Sequence, residues 1–164
     1  MNEVAMNVLV RKSIVINAPL AHVFAVLTER HDAWWPRAHH IGPSEKFTAM
    51  LEPRVGGRWF ERSDDGNECN WGRVLAWDPP NRLVLSWEIS AEWEPDPSIA
   101  SEVEIKFIAE DRERTRVELE HRNLEVYGEK AEMMRALFDS ARAWMGTLRA
   151  MAEFAADSYG RQNA

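Results

Sequence analysis

The chain has 164 residues, a net charge of −7 and one cysteine, Cys69. Acidic and basic residues are interspersed, which argues against a nucleic-acid-binding protein and against attachment to an anionic membrane, since both need a basic surface. No apolar run approaches the roughly 18 residues of a spanning helix, and the start lacks the pattern of a secretion signal. We therefore expect one cytoplasmic domain over residues 1–164, with its core over about 8–156 and no disulfide.

The beginning of the chain predicts a strand, a helix and an aromatic loop. Residues 8–16 are rich in β-branched side chains, which favour a strand. Pro19 suits the first position of a helix, because its missing N–H needs no partner there. Residues 29–42 are aromatic and interrupted by Pro36, which predicts a short helix that runs into a loop.

From residue 46 onward, short apolar segments separated by turn residues predict a series of strands. Asp65-Gly66 marks one turn, and the sequence DPPN at 78–81 marks another that also prevents continued pairing. Because each connection is short, the strands should form an antiparallel meander. The predicted strands are FTAML, RWFER, CNWGRVLAW, RLVLSWEI, SEVEIKFIAE and RTRVELEHRNL.

The last segment, about residues 130–156, repeats apolar residues at helical spacing and carries charges on the opposite side. It predicts one uninterrupted helix of about seven turns, long enough to cross a small sheet. The fold class that follows is α+β, with a curved antiparallel sheet of about seven strands wrapped around a long C-terminal helix.

Several segments resemble one known family over about residues 8–156. They are INAPLAHVFAVLTE, EPRVGGRWFE, GRVLAWDPPNRLVLSW, TRVELEH and the final helix. The chain resembles the START-like (SRPBCC) superfamily, in particular the group similar to the C-terminal domain of the activator of the ninety-kilodalton heat-shock protein ATPase. The resemblance implies a helix-grip fold with a cavity between the sheet and the final helix. It implies no single activity, because members bind, cyclise or hydrolyse small molecules or serve chaperones.

Strand parity assigns the residues that face this cavity. The charged residues of TRVELEH share one face, so His121 on the other face points inward among apolar neighbours. Methionines on the facing helix suit a surface that accepts variable apolar shapes. The predicted ligand-binding residues come from the entrance loop, the strands and the helix: Trp34, Trp35, His39, Trp59, Leu85, Trp87, Phe107, Leu119, His121, Met134, Phe138 and Met145.

The segment HDAWWPRAHHIG, residues 31–42, contains His31, His39 and His40 and therefore raises the question of a metal site. Histidine ligands on a helix are commonly three or four residues apart, whereas these spacings are eight and one. We predict no metal and no cofactor, and interpret the segment as the rim of an apolar pocket. Cys69 has no adjacent positive charge and is predicted to be unreactive.

The catalytic candidates are His121 and Glu61. An inward His121 could act as a general base if its pKa lay near neutrality. Glu61 could join it, although Arg58 and Arg62 leave the parity of that strand open. The alternative is that His121 is a buried polar residue satisfied by Tyr127 or by the backbone. The sequence contains no nucleophile elbow and no phosphate-binding loop.

Three functions stay open at this point. The first is a binding protein for a small apolar or aromatic molecule. The second is a cyclase, dehydratase or hydrolase that uses His121, and the third is a co-chaperone. We expect no nucleic-acid and no membrane partner. A homodimer is a further expectation, because Trp71, Leu75 and Trp77 would otherwise leave one sheet face apolar and uncovered.

Overall fold

The computed structural model describes residues 8–162, in which a curved seven-stranded sheet packs against the helices. All neighbouring strands are antiparallel, in the order β1-β7-β6-β5-β4-β3-β2. The predicted α+β helix-grip class is confirmed. The elements are β1 (Val10–Ile16), α1 (Leu20–Glu29), α2 (His31–Trp34), β2 (Phe47–Leu51), β3 (Arg58–Ser63), β4 (Glu68–Asp78), β5 (Arg82–Trp87), β6 (Ser101–Asp111), β7 (Arg114–Arg122), a 3₁₀ segment (Leu124–Lys130), α3 (Ala131–Asp139) and α4 (Trp144–Gln162).

Strand β7 lies between β1 and β6 and shows the predicted alternation. Its inward side chains, from Thr115 to His121, are buried, and its charged side chains face the other way. His121 pairs with Val10 of β1 and Val103 of β6, both of which are buried. The inward direction predicted for His121 is confirmed, and the residue is fully buried.

Strand β4 departs from regular alternation, and this corrects one expectation. The register between β3 and β4 shifts so that Gly72 and Asn70 pair with consecutive residues, which leaves Trp71 as an extra residue. Trp71 is fully buried in the core, and Trp77 is half-buried with its ring against Phe24. The expected bare face containing Trp71 is therefore wrong, although dimerisation itself stays a prediction.

Gly72 is required by a close approach of the neighbouring backbone. A Cβ atom at this position would lie 1.8 Å from the carbonyl oxygen of Ser86. The neighbouring strand β5 therefore sits closer to β4 here than any side chain would allow. This contact places the end of β5, including Trp87, against Trp71 and the aromatic core.

The long C-terminal helix predicted over about 130–156 is present, but the structure interrupts it. Helix α3 ends at Asp139, Ser140 is extended, and α4 begins at Trp144 and continues to Gln162. The Ser140 hydroxyl donates to the carbonyl of Leu137 at 2.8 Å, a side-chain bond that competes with helical pairing. Among residues 8–162, no helix combines the length and apolarity needed to cross a membrane.

Candidate ligand-binding site

The space between the sheet and α4 is almost filled by side chains. A hollow of about 20 Å³ remains there, bordered by Trp34, Trp59, Leu85 and Leu119 of the predicted set and by Met151 of α4. Such a volume holds little more than one water molecule. The structure therefore has little free space for a ligand along this interface, where the sequence predicts it, and the predicted position stays a prediction.

A hollow of about 380 Å³ lies at the open end of the sheet, and we call it the end cavity. Its walls are the loop at 35–41, the end of β5 with the loop that follows, and the junction of α3 and α4. This volume is within the range of small-molecule sites. The lining residues are Trp35, Ala38, His39, His40, Ile41, Trp87, Trp93, Leu137, Phe138, Ser140, Arg142, Ala143, Trp144 and Thr147.

The end cavity contains part of the predicted ligand-binding set. Four predicted residues line it, namely Trp35, His39, Trp87 and Phe138. Phe107 packs against Phe24, and Met134 is buried in the core. The predicted residues that line neither hollow are Phe107, His121, Met134 and Met145. The sequence reasoning missed Trp93, Trp144 and His40, because the helix break and the loop path that bring them together have no periodic signal.

Another depression, of about 440 Å³, lies on the outer face of the sheet and is less suited to a ligand. Its lining is mainly charged, and several of these charges are in ion pairs, as Arg11 is with Glu120 at 2.9 Å. The end cavity instead presents aromatic rings. We therefore regard the end cavity as the candidate site.

The aromatic wall of the end cavity is continuous with a cluster of tryptophans in the core. Trp35 lies 4.9 Å from Trp71 between ring centroids, and Trp59 lies 5.5 Å from Trp71 and 5.4 Å from Trp87. Packed rings at these distances attract each other beyond the area that they bury. The wall that a ligand meets is therefore supported from behind by further rings.

His121 is held in a neutral form by two side chains. The Trp144 indole N–H donates to its Nδ1 at 3.0 Å, so its Nε2 carries the proton and donates to Ser101 Oγ at 2.7 Å. Burial lowers the pKa of His121 to about 3. The partners are not Tyr127, whose hydroxyl donates to the carbonyl of Ile89 instead. With both nitrogens occupied and no contact with the end cavity, His121 is not placed to act as a base.

His31 repeats this arrangement in the other half of the interior. Its Nδ1–H donates to the carbonyl of Leu27 at 2.9 Å, and its Nε2 accepts the indole N–H of Trp59 at 3.0 Å. Burial lowers the pKa of His31 to about 4, against smaller opposing effects of the Leu27 carbonyl and Asp32. His31 is thus an acceptor for a buried indole, rather than part of a metal site.

Glu61 is buried and acts as an anchor for the loop that lines the end cavity. Its Oε1 accepts the backbone N–H of Ile41 at 2.6 Å and the indole N–H of Trp71 at 2.9 Å. The carboxylate does not line the end cavity. Burial raises the pKa of the Cys69 thiol to about 11, and the charge of Glu61, which pairs with Cys69 across β3 and β4, adds to this rise.

His39 ties the same loop to helix α4. Its Nε2–H donates to the carbonyl of Arg142 at 3.1 Å, and its Nδ1 lies 3.1 Å from the Thr147 hydroxyl, which donates to it. Burial lowers the pKa of His39, and the Arg142 carbonyl opposes that change. Because both ring nitrogens are used, His39 serves to position the wall.

Trp93 stands at the edge of the end cavity in an unfavourable backbone conformation. Its φ of 64° lies in the left-handed region, which is rare for large side chains. The ring is 43% exposed and lies edge-on to Phe138, with 6.4 Å between centroids. A large apolar residue held exposed in a strained conformation beside a cavity is typical of a functional position.

The candidate site shows no arrangement for a metal. Among residues 8–162, no three His, Cys, Asp or Glu side chains are placed to hold a metal ion. The chemistry that the described residues offer is aromatic stacking, together with hydrogen bonding from a small number of polar groups at the wall.

The comparisons with known proteins agree with this geometry. Residues 17–155 match the model of the family described as "Activator of Hsp90 ATPase homolog 1-like protein". The chain belongs to this family. The resemblance noted from the sequence is therefore confirmed, and the matched range of this family includes the whole lining of the end cavity. A comparison with curated proteins finds no significant match.

Solved structures of the same fold include proteins with named activities. An anthrahydroquino-gamma-pyrone synthase, in complex with a molecule designated SUM, is 40% identical, with 88% of this chain and 95% of that chain covered and a TM-score of 0.63. CalC of Micromonospora echinospora, a self-sacrificing resistance protein, is 25% identical, with coverage of 92% and 95% and a TM-score of 0.66. A protein of Nitrosomonas europaea is 16% identical, with coverage of 92% and 95% and a TM-score of 0.65, and shows the fold alone.

The neutral buried histidines make folding stability depend on pH. Unfolded histidines bind protons below about pH 6.5, whereas folded His31 and His121 do so only near 4 and 3. The unfolded state therefore binds more protons, and stability falls as pH decreases from about 6.5 towards 4. Urea unfolding should show this loss between about pH 6.5 and 5, above the range in which unfolded carboxylates titrate.

The variant His121→Asn tests the cause, since its amide oxygen can accept the Trp144 N–H but does not titrate. We expect lower stability at pH 7 and a pH slope reduced by roughly a third or more. Leu148→Ala, a buried substitution that keeps every histidine, should lower stability and retain the wild-type slope. Equal slopes in wild type and His121→Asn would contradict this account.

Proposed function

We propose that the protein binds a small, flat aromatic molecule in the end cavity. The observation that carries this proposal is the composition of the wall, in which indole and phenyl rings face a hollow of about 380 Å³. Aromatic rings offer stacked and edge-on contacts to a planar guest. These rings come from three separate parts of the chain: Trp35, Trp87, Trp93, Phe138 and Trp144.

Two of these rings are held in place by hydrogen bonds in the absence of a ligand, which supports a binding role. The Trp35 indole N–H donates to the carbonyl of His39 at 3.1 Å, and that of Trp144 donates to His121. His39 in turn connects the loop to α4. A wall that is already ordered loses little conformational entropy on binding, so more of the contact energy appears as affinity.

The related proteins support the aromatic class of ligand. The 40%-identical structure is named for an anthrahydroquino-gamma-pyrone, whose name denotes a fused aromatic ring system bearing a pyrone. The coverage of both chains is nearly complete, so the comparison includes the region of the end cavity. We extend the class, fused aromatic molecules, to this chain and not the particular compound.

Filling the end cavity should prevent binding. Ala38 lines the cavity but is itself exposed, so Ala38→Phe places a ring in the hollow without crowding the core. With 2-methoxyanthraquinone as probe, calorimetry should show binding to the wild type and a loss of at least about tenfold in affinity for Ala38→Phe. The matched control is Ala109→Phe, an exposed position in β6 near the β6–β7 turn, which should bind as the wild type does. Absence of binding to the wild type would refute the proposal for this ligand class.

Trp93 provides a second test that separates binding from stability. Trp93→Gly removes the ring and relieves the left-handed strain, so stability should stay the same or rise by up to about 1 kcal/mol. Affinity for the same probe should fall by about tenfold, because a stacking surface is lost. Asn123→Gly relieves the same type of strain at an exposed site that does not line the cavity, and should leave affinity unchanged. If Trp93→Gly binds like the wild type, the ring does not contact the ligand.

A second candidate function is an enzyme that closes a fused γ-pyrone ring. It is favoured by the 40% identity to a structure named as a synthase of such a compound. Ring closure of an ortho-hydroxyaryl 1,3-diketone forms one C–O bond and releases one water, so it needs no cofactor. A cavity that holds the two reacting groups together would accelerate that step by proximity.

Mass spectrometry can test this second function directly. An ortho-hydroxyaryl 1,3-diketone incubated with the protein should lose the mass of one water faster than in buffer, and Ala38→Phe should abolish the acceleration. If the wild type binds the diketone without accelerating closure, the protein is a binding protein for this class and not its cyclase.

A further inference from the structure

His40 is the histidine of the end cavity whose ring keeps a free acceptor. Its Nδ1 lies 2.6 Å from the carbonyl oxygen of Gly42. Because a carbonyl can only accept, Nδ1 carries the proton, and the neutral ring has its lone pair on Nε2. No described residue within 8–162 donates a hydrogen bond to that nitrogen, whereas both nitrogens of His39 are used.

The position of His40 is fixed by the residues on either side of it. The carbonyl of His39 accepts the Trp35 indole N–H at 3.1 Å, and the N–H of Ile41 donates to the buried carboxylate of Glu61 at 2.6 Å. The loop is thus held to the core immediately before and after His40. Glu61 acts here as a positioning residue, and the backbone at His40 cannot leave the wall without breaking one of these bonds.

Apart from the Trp87 indole N–H, which is buried without a partner among residues 8–162, the other polar groups of the wall are engaged or carry positive charge. The Ser140 hydroxyl donates to the carbonyl of Leu137, and the Thr147 hydroxyl is shared between His39 and the carbonyl of Ala143. Arg142 lines the cavity and forms no ion pair among residues 8–162, so the wall favours electron-rich over cationic guests. The wall therefore combines aromatic surface with a free acceptor on His40 and a free donor on Trp87, and an acidic hydroxyl on a planar ring, which donates and accepts, complements both kinds of group.

We propose that His40 Nε2 accepts a hydrogen bond from an aromatic hydroxyl of the ligand, so that the end cavity selects phenolic or hydroquinone-type molecules over their O-alkylated counterparts. This inference rests on the proposed binding function and specifies its ligand class. An acceptor held in a mostly aromatic wall discriminates between a hydroxyl and an ether, because the ether brings no donor and leaves the nitrogen unpaired.

A matched pair of probes tests the inference in the wild-type protein. Calorimetric titration with 2-hydroxyanthraquinone and 2-methoxyanthraquinone compares molecules that differ at one oxygen. We expect the hydroxyl compound to bind about tenfold more tightly. Equal affinities, or tighter binding of the ether, overturn the inference and leave the proposed function intact. If neither compound binds, the proposed function fails and the inference fails with it.

Variants then assign the preference to the imidazole. His40→Phe keeps an aromatic ring and removes the acceptor, so the two probes should bind with nearly equal affinity, while the affinity for the ether stays close to that of the wild type. His40→Gln restores an amide acceptor and should recover part of the preference. The matched control His22→Phe, at the contact of α1 with α4, should keep the wild-type preference.

The outcomes for the variants are distinct. Loss of the preference in His40→Phe, with circular dichroism and thermal unfolding like those of the wild type, supports the inference. A tenfold preference that persists in His40→Phe overturns it, because another group then recognises the hydroxyl. If His40→Phe does not fold, His40→Gln decides, since a preference undiminished from the wild-type value in that variant also overturns the inference.

Discussion

Hydrogen bonds from buried indole N–H groups organise the interior of this protein, although the buried N–H of Trp87 has no partner among residues 8–162. Trp59 and Trp144 donate to the neutral imidazoles of His31 and His121, and Trp71 donates to the carboxylate of Glu61. An unpaired buried donor is costly, so these pairs constrain which strand and helix segments can be adjacent. The accepting nitrogen of each histidine must stay unprotonated. Burial favours this state, because it lowers the pKa of both His31 and His121. His121 and Glu61, the catalytic candidates from the sequence, therefore serve as hydrogen-bond acceptors inside the structure.

The end cavity lies where the C-terminal helical region is interrupted. Ser140 interrupts the helical region, and Trp144 therefore starts a new helix next to Phe138. The loop at 35–41 closes the other side and is tied to α4 by His39. An uninterrupted helix would have continued along the sheet, whose interior is filled except for about 20 Å³. The break moves the usable space to one end, where it is open to solvent and lined by aromatic side chains.

Membership of the family defines the scaffold, and the residues at the end cavity define the chemistry. Solved structures of similar fold range from a named synthase to a self-sacrificing resistance protein. Such variety is expected where a rigid sheet carries loops of different sequence around one opening. In this chain the loop after β5 brings Trp93, with its strained backbone, to one side of the cavity, and the loop at 35–41 brings a free imidazole nitrogen of His40 to the other. The Trp93 ring offers a stacking surface and the His40 nitrogen offers a hydrogen-bond acceptor, so the two sides of the cavity present different chemistry to a guest.

The sequence by itself determined the order of strands and helices, the α+β class and the inward direction of His121, because alternation and turn residues act over a few neighbouring positions. It also pointed to Trp35, His39, Trp87 and Phe138, which line the end cavity. It did not reveal the extra residue at Trp71, the break at Ser140 or the partners of His121 and Glu61. The partners of His121 and Glu61 depend on contacts between segments 20 residues apart, as between Ser101 and His121 or between Ile41 and Glu61. Only the tertiary structure decided them, since the direction of a hydrogen bond and the volume left between packed rings are properties of the assembled chain.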